Sequence, residues 1–170
     1  LNVPDFRSAE RTFQLITQVA GRSGRGDKAG EVLIQTYNPR HYAIRHASRQ
    51  DFPSFAQEEL SYRQRMNYPP YYRLARILYL CTDEALLTAE MHALAQRLQG
   101  FEDGYPDQSV FLLGPAPAPL TKVRNNYRYH LIIKLRNASM IPALLQAIRQ
   151  IYKLPRAITE QIDVDPLSLM

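Results

Sequence analysis

Apolar residues recur along this chain with two different periods, and the switches between them lay out its elements. From Ser8 onward, Phe13, Leu15, Ile16, Val19 and Ala20 fall on one helical face, with Ser8 placed to cap and Glu10 in the first turn. Gly21 is placed to end that helix. Glu31 to Thr36, EVLIQT, reads as a buried strand, and the turn residues Asn38 and Pro39 follow it. HYAIRHAS and FPSFAQEELSYRQRM predict two further helices, after which Tyr68-Pro69-Pro70 breaks the pattern and marks a domain boundary.

Past that break the order is regular. Tyr72 to Leu80 reads as a strand, and Thr82 as the cap of a helix with Asp83 and Glu84 in its first turn. Leu87, Met91, Leu94 and Leu98 stripe this helix, and Gly100 closes it. Val110 to Leu113 predicts a short strand, and the alternating prolines of GPAPAP then force an extended chain. Tyr127 to Leu135 alternates as a strand does. Ser139 opens a helix carrying Ile141, Leu144, Leu145, Ile148 and Ile151, and Ile158 to Val164 is the last strand. The succession βαββαβ predicts a ferredoxin-like domain over residues 71–170, with two helices on one face of an antiparallel sheet. Residues 1–50, with one helix and one buried strand, cannot cover a sheet alone and read as the tail of a larger α/β lobe, joined by a helical connector over 51–70.

Composition narrows the class. With 170 residues and 45% apolar content the chain can build a real core. No apolar run approaches the ~20 residues of a membrane span, and nothing resembles a signal peptide. Cys81 is the single cysteine, which excludes an internal disulfide or a multi-cysteine zinc site in this chain and fits a reducing, cytoplasmic setting. The chain opens Leu1-Asn2-Val3-Pro4 without an initiator Met, as expected of a piece of a longer protein. Twenty-one basic against 16 acidic residues leave a net charge of +5, which suits a polyanionic partner.

The stretch TQVAGRSGRGDKAG, Thr17 to Gly30, sets Arg22 and Arg25 in a glycine frame. A phosphate-cradling glycine loop needs a strand before it and a helix after it, and here that order is reversed. A plain helix-to-strand turn with solvated arginines is one remaining reading. The other is an arginine finger, a planar and always charged group aimed at charge developing on a transferring phosphate. Gly21 and Gly24 would permit the close backbone approach, and Gln18 lies one helical turn before Arg22.

Gln18-x-x-Gly21-Arg22-x-Gly24-Arg25 resembles the sixth conserved motif of superfamily 2 helicases, in their second RecA-like lobe. The surrounding PDFRSAERTFQLITQVAGRSGR is similar to the primosomal replication-restart helicases, and the likeness continues through YPP (68–70), LGPAPAPL (113–120), YRYHLIIK (127–134) and DVDP (163–166). This resemblance implies that residues 1–50 end a RecA-like lobe. It implies that Arg22 and Arg25 serve at the ATP phosphates, Arg25 as the finger, and that Gln18 links the nucleotide cleft to the DNA-responsive part of the lobe. The implied parent is an ATP-dependent 3′ to 5′ DNA helicase that reloads the replicative helicase at abandoned forks and initiates primosome assembly. ATP with magnesium, and zinc, are then cofactors of the longer protein. The phosphate loop, acidic box and cysteine cluster that would hold them are missing from these 170 residues, so this segment alone is expected to be inactive. Implied partners are forked and single-stranded DNA, single-stranded-DNA-binding protein and other primosome proteins, with no membrane. Outside the resemblance, a non-enzymatic nucleic-acid or protein-binding module with a structural arginine turn remains open.

The strand Tyr127 to Arg136 carries Tyr127, Tyr129, Leu131, Ile133 and Leu135 on one parity and Arg128, His130, Ile132, Lys134 and Arg136 on the other. With Lys122 and Arg124 just upstream, residues 122–136 hold five Lys and Arg side chains and no acid. Cations beside aromatics suit single-stranded nucleic acid, and the same surface would also receive an acidic protein tail. Asp163 and Asp165 share a strand face and are expected to pair with this basic strand rather than hold a metal. His41, His46, His92 and His130 have no ligand spacing and receive no catalytic role.

Overall fold

A computed structural model describes residues 5–23 and 31–169 and divides the chain into two compact units, Leu1–Met66 and Asn67–Met170. In the first unit, α1 spans Ser8–Ser23, α2 Tyr42–Ala47 and α3 Phe52–Arg65. Each has a local cause. The Asp5 carboxylate accepts from the Arg7 amide ahead of α1 at 3.0 Å. His41 Nδ1 accepts from the Ala43 amide, and Asp51 caps α3 by accepting from Ser54 while Pro53 occupies the first turn. Ala9, Phe13, Ala43, Ala47 and Phe55 form the small core, with the Phe13 and Phe55 rings stacked at 4.2 Å.

Two expectations for this unit are corrected. Gly21 does not end α1, which continues to Ser23; glycine weakens a helix without breaking it, and the Ser23 hydroxyl donates to the Ala20 carbonyl at 2.9 Å. Glu31–Thr36 is neither a strand nor buried, and Leu33 is 91% exposed. An apolar run becomes a strand only when a neighbour takes up its backbone hydrogen bonds, and no described segment does so.

The second unit is a mixed α/β domain. Strands β1 (Arg73–Cys81), β2 (Val110–Val123), β3 (Asn126–Leu135) and β4 (Thr159–Val164) form an antiparallel sheet in the order β2-β3-β1-β4. Helix α4 (Glu84–Arg97) joins β1 to β2, and α5 (Ile141–Ile151) joins β3 to β4. Asp83, rather than Thr82, caps α4 by accepting from the Leu86 amide at 3.0 Å. Asn137 and a short tight turn precede α5, which starts at Ile141 instead of Ser139. β2 runs ten residues beyond Leu113, because the extended prolines still leave enough backbone groups to pair with β3 through two register shifts.

Both helices pack on one face of the sheet. Odd-numbered Ala75, Ile77, Tyr79 and Cys81 of β1 and Leu131, Ile133 and Leu135 of β3 meet Leu87, Met91 and Leu94 of α4 and Ile141, Leu144 and Ile148 of α5. Truncating one of the larger of these to alanine costs about 2–5 kcal/mol. The even-numbered positions form the other face, where Leu74 stands opposite Lys134, Arg76 opposite Ile132 and Leu78 opposite His130.

Candidate functional site

The arginine motif starts on α1. Gln18 and Arg22 lie four residues apart on that helix, both exposed, and so share a face over its last two turns. Gly21 lies between them, and no atom of the described residues comes within 4 Å of the position a Cβ would take. Gly24 and Arg25 lie outside the described residues. The opposite half of α1 is anchored by charge. Arg63 of α3 donates to Glu10 at 2.8 Å and to Glu59 at 2.6 Å, and the Tyr42 hydroxyl donates to Glu59 at 2.5 Å. Burial and the Glu59 carboxylate together push the Tyr42 phenol well above the ordinary range. Glu10 is held below the usual carboxylate range: burial acts against this, and the bonds to Arg63 and Arg7 overcome it. This network, absent from the sequence reading, ties the first half of α1 to α2 and α3. Its signal was available in Glu59-x-x-x-Arg63, an i, i+4 pair on a helix.

The five cations expected at one surface separate into two groups. At the β2–β3 hairpin, Arg124 and Asn125 form a two-residue turn with φ of 47° and 67°, and Lys122 stands opposite Tyr127. The Lys122 ammonium donates to the Tyr127 hydroxyl at 3.0 Å and lies 4.3 Å from that ring's centre. Lys122 and Arg124 are exposed, and half-exposed Arg128 donates to the Leu120 carbonyl at 3.3 Å. At the far end of β3, Lys134 is only 5% exposed, with Nζ 3.6 Å from the centre of the Tyr68 ring. Burial lowers the Lys134 ammonium from the ordinary lysine value, while the electron-rich Tyr68 face favours the charge. Exposed Arg136 donates through Nε to the Tyr72 hydroxyl at 3.0 Å. Tyr68 and Tyr72 therefore belong to this surface, although the sequence suggested only a domain boundary at Tyr68 and the start of a strand at Tyr72.

Tyr127 and Tyr129 lie on the helix side and pack partly against the core, and the Tyr129 hydroxyl donates to Thr88 at 3.3 Å. The two aspartates pair with β1, not with β3: Asp163 with Arg76 at 3.2 Å, and Asp165 with Arg73. The sheet order requires this, because β4 borders β1 alone. The Arg73 guanidinium holds the Asp165 carboxyl below its usual range. Among the described residues no three His, Cys, Asp or Glu side chains come together as a metal site. No described helix is long and apolar enough to cross a membrane.

Residues 64–167, the β2-β3-β1-β4 sheet with its two helices, match the family model of the primosomal protein N C-terminal domain. The chain belongs to that family. Among curated relatives, the replication restart protein PriA of Bacillus subtilis is 39% identical over 100% of this chain, and that of Synechocystis is 40% identical over 99%. The Chlamydia muridarum protein of the same name is also 40% identical over 99%. The chain spans about a fifth of the length of these relatives: 21%, 20% and 22% respectively. The likeness to PriA proteins thus extends beyond the family domain to α1 and its arginine motif.

Proposed function

We propose that this chain is the C-terminal part of a DNA helicase of replication restart, acting with 3′ to 5′ polarity at branched or abandoned forks and initiating primosome assembly there. The observation that carries this reading is the match of the whole chain, arginine motif included, to replication restart proteins at 39–40% identity. We read residues 1–50 as the end of a RecA-like lobe and the βαββαβ unit as ferredoxin-like, its strand order β4-β1-β3-β2 being the one that plan requires.

In this reading Gln18 and Arg22, on one exposed face of α1, and Arg25 after it line one side of a nucleotide cleft. The rest of the longer protein supplies the phosphate loop and the acidic groups that hold ATP and magnesium, and it holds zinc elsewhere. ATP supplies the phosphoanhydride whose hydrolysis drives strand separation. Arg25 then stabilises charge on the transferring phosphate, Arg22 stands with it at the ATP phosphates, and Gln18 links the cleft to the DNA-responsive part of the lobe. The hairpin cations Lys122, Arg124 and Arg128 contact a DNA backbone or an acidic tail such as that of single-stranded-DNA-binding protein.

The test is Arg25→Ala in the full-length protein. DNA-stimulated ATP hydrolysis should fall by roughly 10³-fold or more with nucleotide affinity nearly unchanged. A rate within about twofold of the parent would make Arg25 a turn residue and leave the finger role to Arg22.

A further inference from the structure

A pocket of about 330 Å³ opens between the end of α5, residues 152–158 and the β1–β4 pair. That is the lower end of the size range of small-molecule sites, about 300–1,000 Å³. Leu94, Ile148, Leu154 and Ile158 supply apolar walls. Tyr79 of β1 supplies the floor: it is fully buried, and its hydroxyl has no hydrogen-bond partner among the described residues. A buried hydroxyl without a partner is costly, so its position at a pocket points to a ligand that bonds it.

Charge decides what kind of ligand. Glu160 stands opposite Tyr79 on β4, lines the same pocket, and accepts from Arg149 Nε at 2.9 Å. Its side chain is 17% exposed, and its charge acts on the Tyr79 hydroxyl. A carboxylate or phosphate pushed to the floor would face this negative group. A neutral polar edge would not, and a phenol both donates and accepts, so it tolerates several edges. The rim is cationic: Lys153 and Arg156 are exposed, and neither makes an ion pair among the described residues. Apolar walls, a neutral polar floor and cations at the mouth match a base attached to a phosphate backbone.

We propose that this pocket accepts one unstacked nucleobase of single-stranded DNA, its edge on the Tyr79 hydroxyl and its flanking phosphates on Lys153 and Arg156. The proposal rests on the reading above that the chain binds DNA, and adds a site on the helix side of the sheet, apart from the hairpin cations. In a single strand the base is available without breaking a pair, and stacking energy is the main cost of seating it.

The test titrates the 170-residue chain with a fluorescent short oligothymidylate and with an equally long deoxyribose-phosphate strand of abasic sites. The intact strand should bind roughly tenfold more tightly. Tyr79→Phe should shrink that preference about threefold while melting no earlier than the parent, because it removes only an unpartnered hydroxyl. Lys153→Glu with Arg156→Glu, both on the surface, should weaken both strands by about tenfold. Equal affinity for the two strands, or a preference that survives both variants, overturns the base pocket and leaves DNA binding to the hairpin. No binding of either strand overturns the DNA-binding reading together with it. If Tyr79→Phe melts early, the abasic comparison and the rim variant decide alone.

Discussion

Basic side chains flank strand β3 at both ends, and the two ends offer them different environments. At the hairpin, Lys122 and Arg124 keep their water, and Arg128 keeps part of it. At the far end Lys134 has lost its water to the Tyr68 ring, while Arg136, bonded to Tyr72, stays exposed beyond the strand. A hydrated cation exchanges water for phosphate at little cost, whereas a desolvated one has already paid that cost within the fold. The hairpin end is therefore suited to recognition and the far end to holding the domain together. Lys134 and its hydrophobic neighbours Leu74 and Ile132 make the second face of the sheet partly a core.

The largest way to break this contrast is at its midpoint. Gly114 sits where β2 shifts register, with φ of +105°, and an added Cβ would fall 2.7 Å from the His130 carbonyl and 2.9 Å from the Ala116 amide nitrogen. Both obstacles are backbone and cannot turn aside. Gly114→Ala should cost about 4 kcal/mol, enough to unfold a marginal domain, and a chemical-denaturation midpoint close to that of the parent would show that the shift is not rigid.

Next in size is Lys134. Reversing its charge with Lys134→Glu puts a carboxylate against an aromatic face out of water and should cost about 3 kcal/mol. Lys134→Met keeps the apolar stem without the charge and should cost at least about 1 kcal/mol less than the glutamate variant. If the glutamate variant is as stable as the methionine one, Lys134 is solvated and the two ends of β3 are alike.

How far this contrast was legible depends on the kind of signal. Alternation over Tyr127–Leu135 and the stripe Leu87, Met91, Leu94 revealed the strand, the helix and the face they share, because those patterns are local and periodic. The order of elements in the second unit followed from the same periods. The covering of Lys134 was not legible, since Tyr68 lies far off in sequence beside two prolines, where no period exists. Glu31–Thr36 misled for the converse reason: its apolar run describes a strand's side chains, but a strand also needs a neighbour, and a pattern within one segment cannot supply it.

A smaller effect tests the middle of the strand through pH. Burial lowers the His130 imidazole from its ordinary value of 6.5, and the Arg76 and Arg128 charges lower it further. On the neighbouring strands, Leu78 is its β1 partner and Ala116 its β2 partner, so no acid stands directly across from it. The unfolded chain then binds the proton more readily than the fold does. Stability should fall as pH drops below 6.5 and level off below the folded-state value. His41 is also lowered, chiefly by burial, and adds to the same acid-side loss. Melting curves at neutral and acid pH should show His130→Gln losing less than the parent on acidification. An equal loss would place the imidazole in water and extend the hairpin's environment inward.

The smallest effect on stability belongs to the hairpin, where it should coincide with a large effect on binding. Arg124→Glu and Arg128→Glu together remove side chains that meet mostly solvent, so the fold should change by about 0.5 kcal/mol at most apiece. Arg124 has a positive φ that glutamate tolerates no worse than arginine, and the bond from Arg128 to the Leu120 carbonyl is a surface one. If the hairpin contacts a DNA backbone, affinity for single strands must fall as salt rises, with a log–log slope of about −0.7 per phosphate neutralised. The double variant should flatten that slope by about one to two units while its melting curve overlays that of the parent. An acidic protein tail at the same place would be lost in the double variant while DNA titrations stayed unchanged, so titrating both ligands separates the two partners. Lys134→Met is the internal control. It removes a cation from the same strand, yet the salt slope should not move, because a charge buried against Tyr68 reaches no phosphate and so displaces none of the counterions condensed on the DNA. A slope that flattens equally in both variants would mean that the two ends of β3 act as one surface.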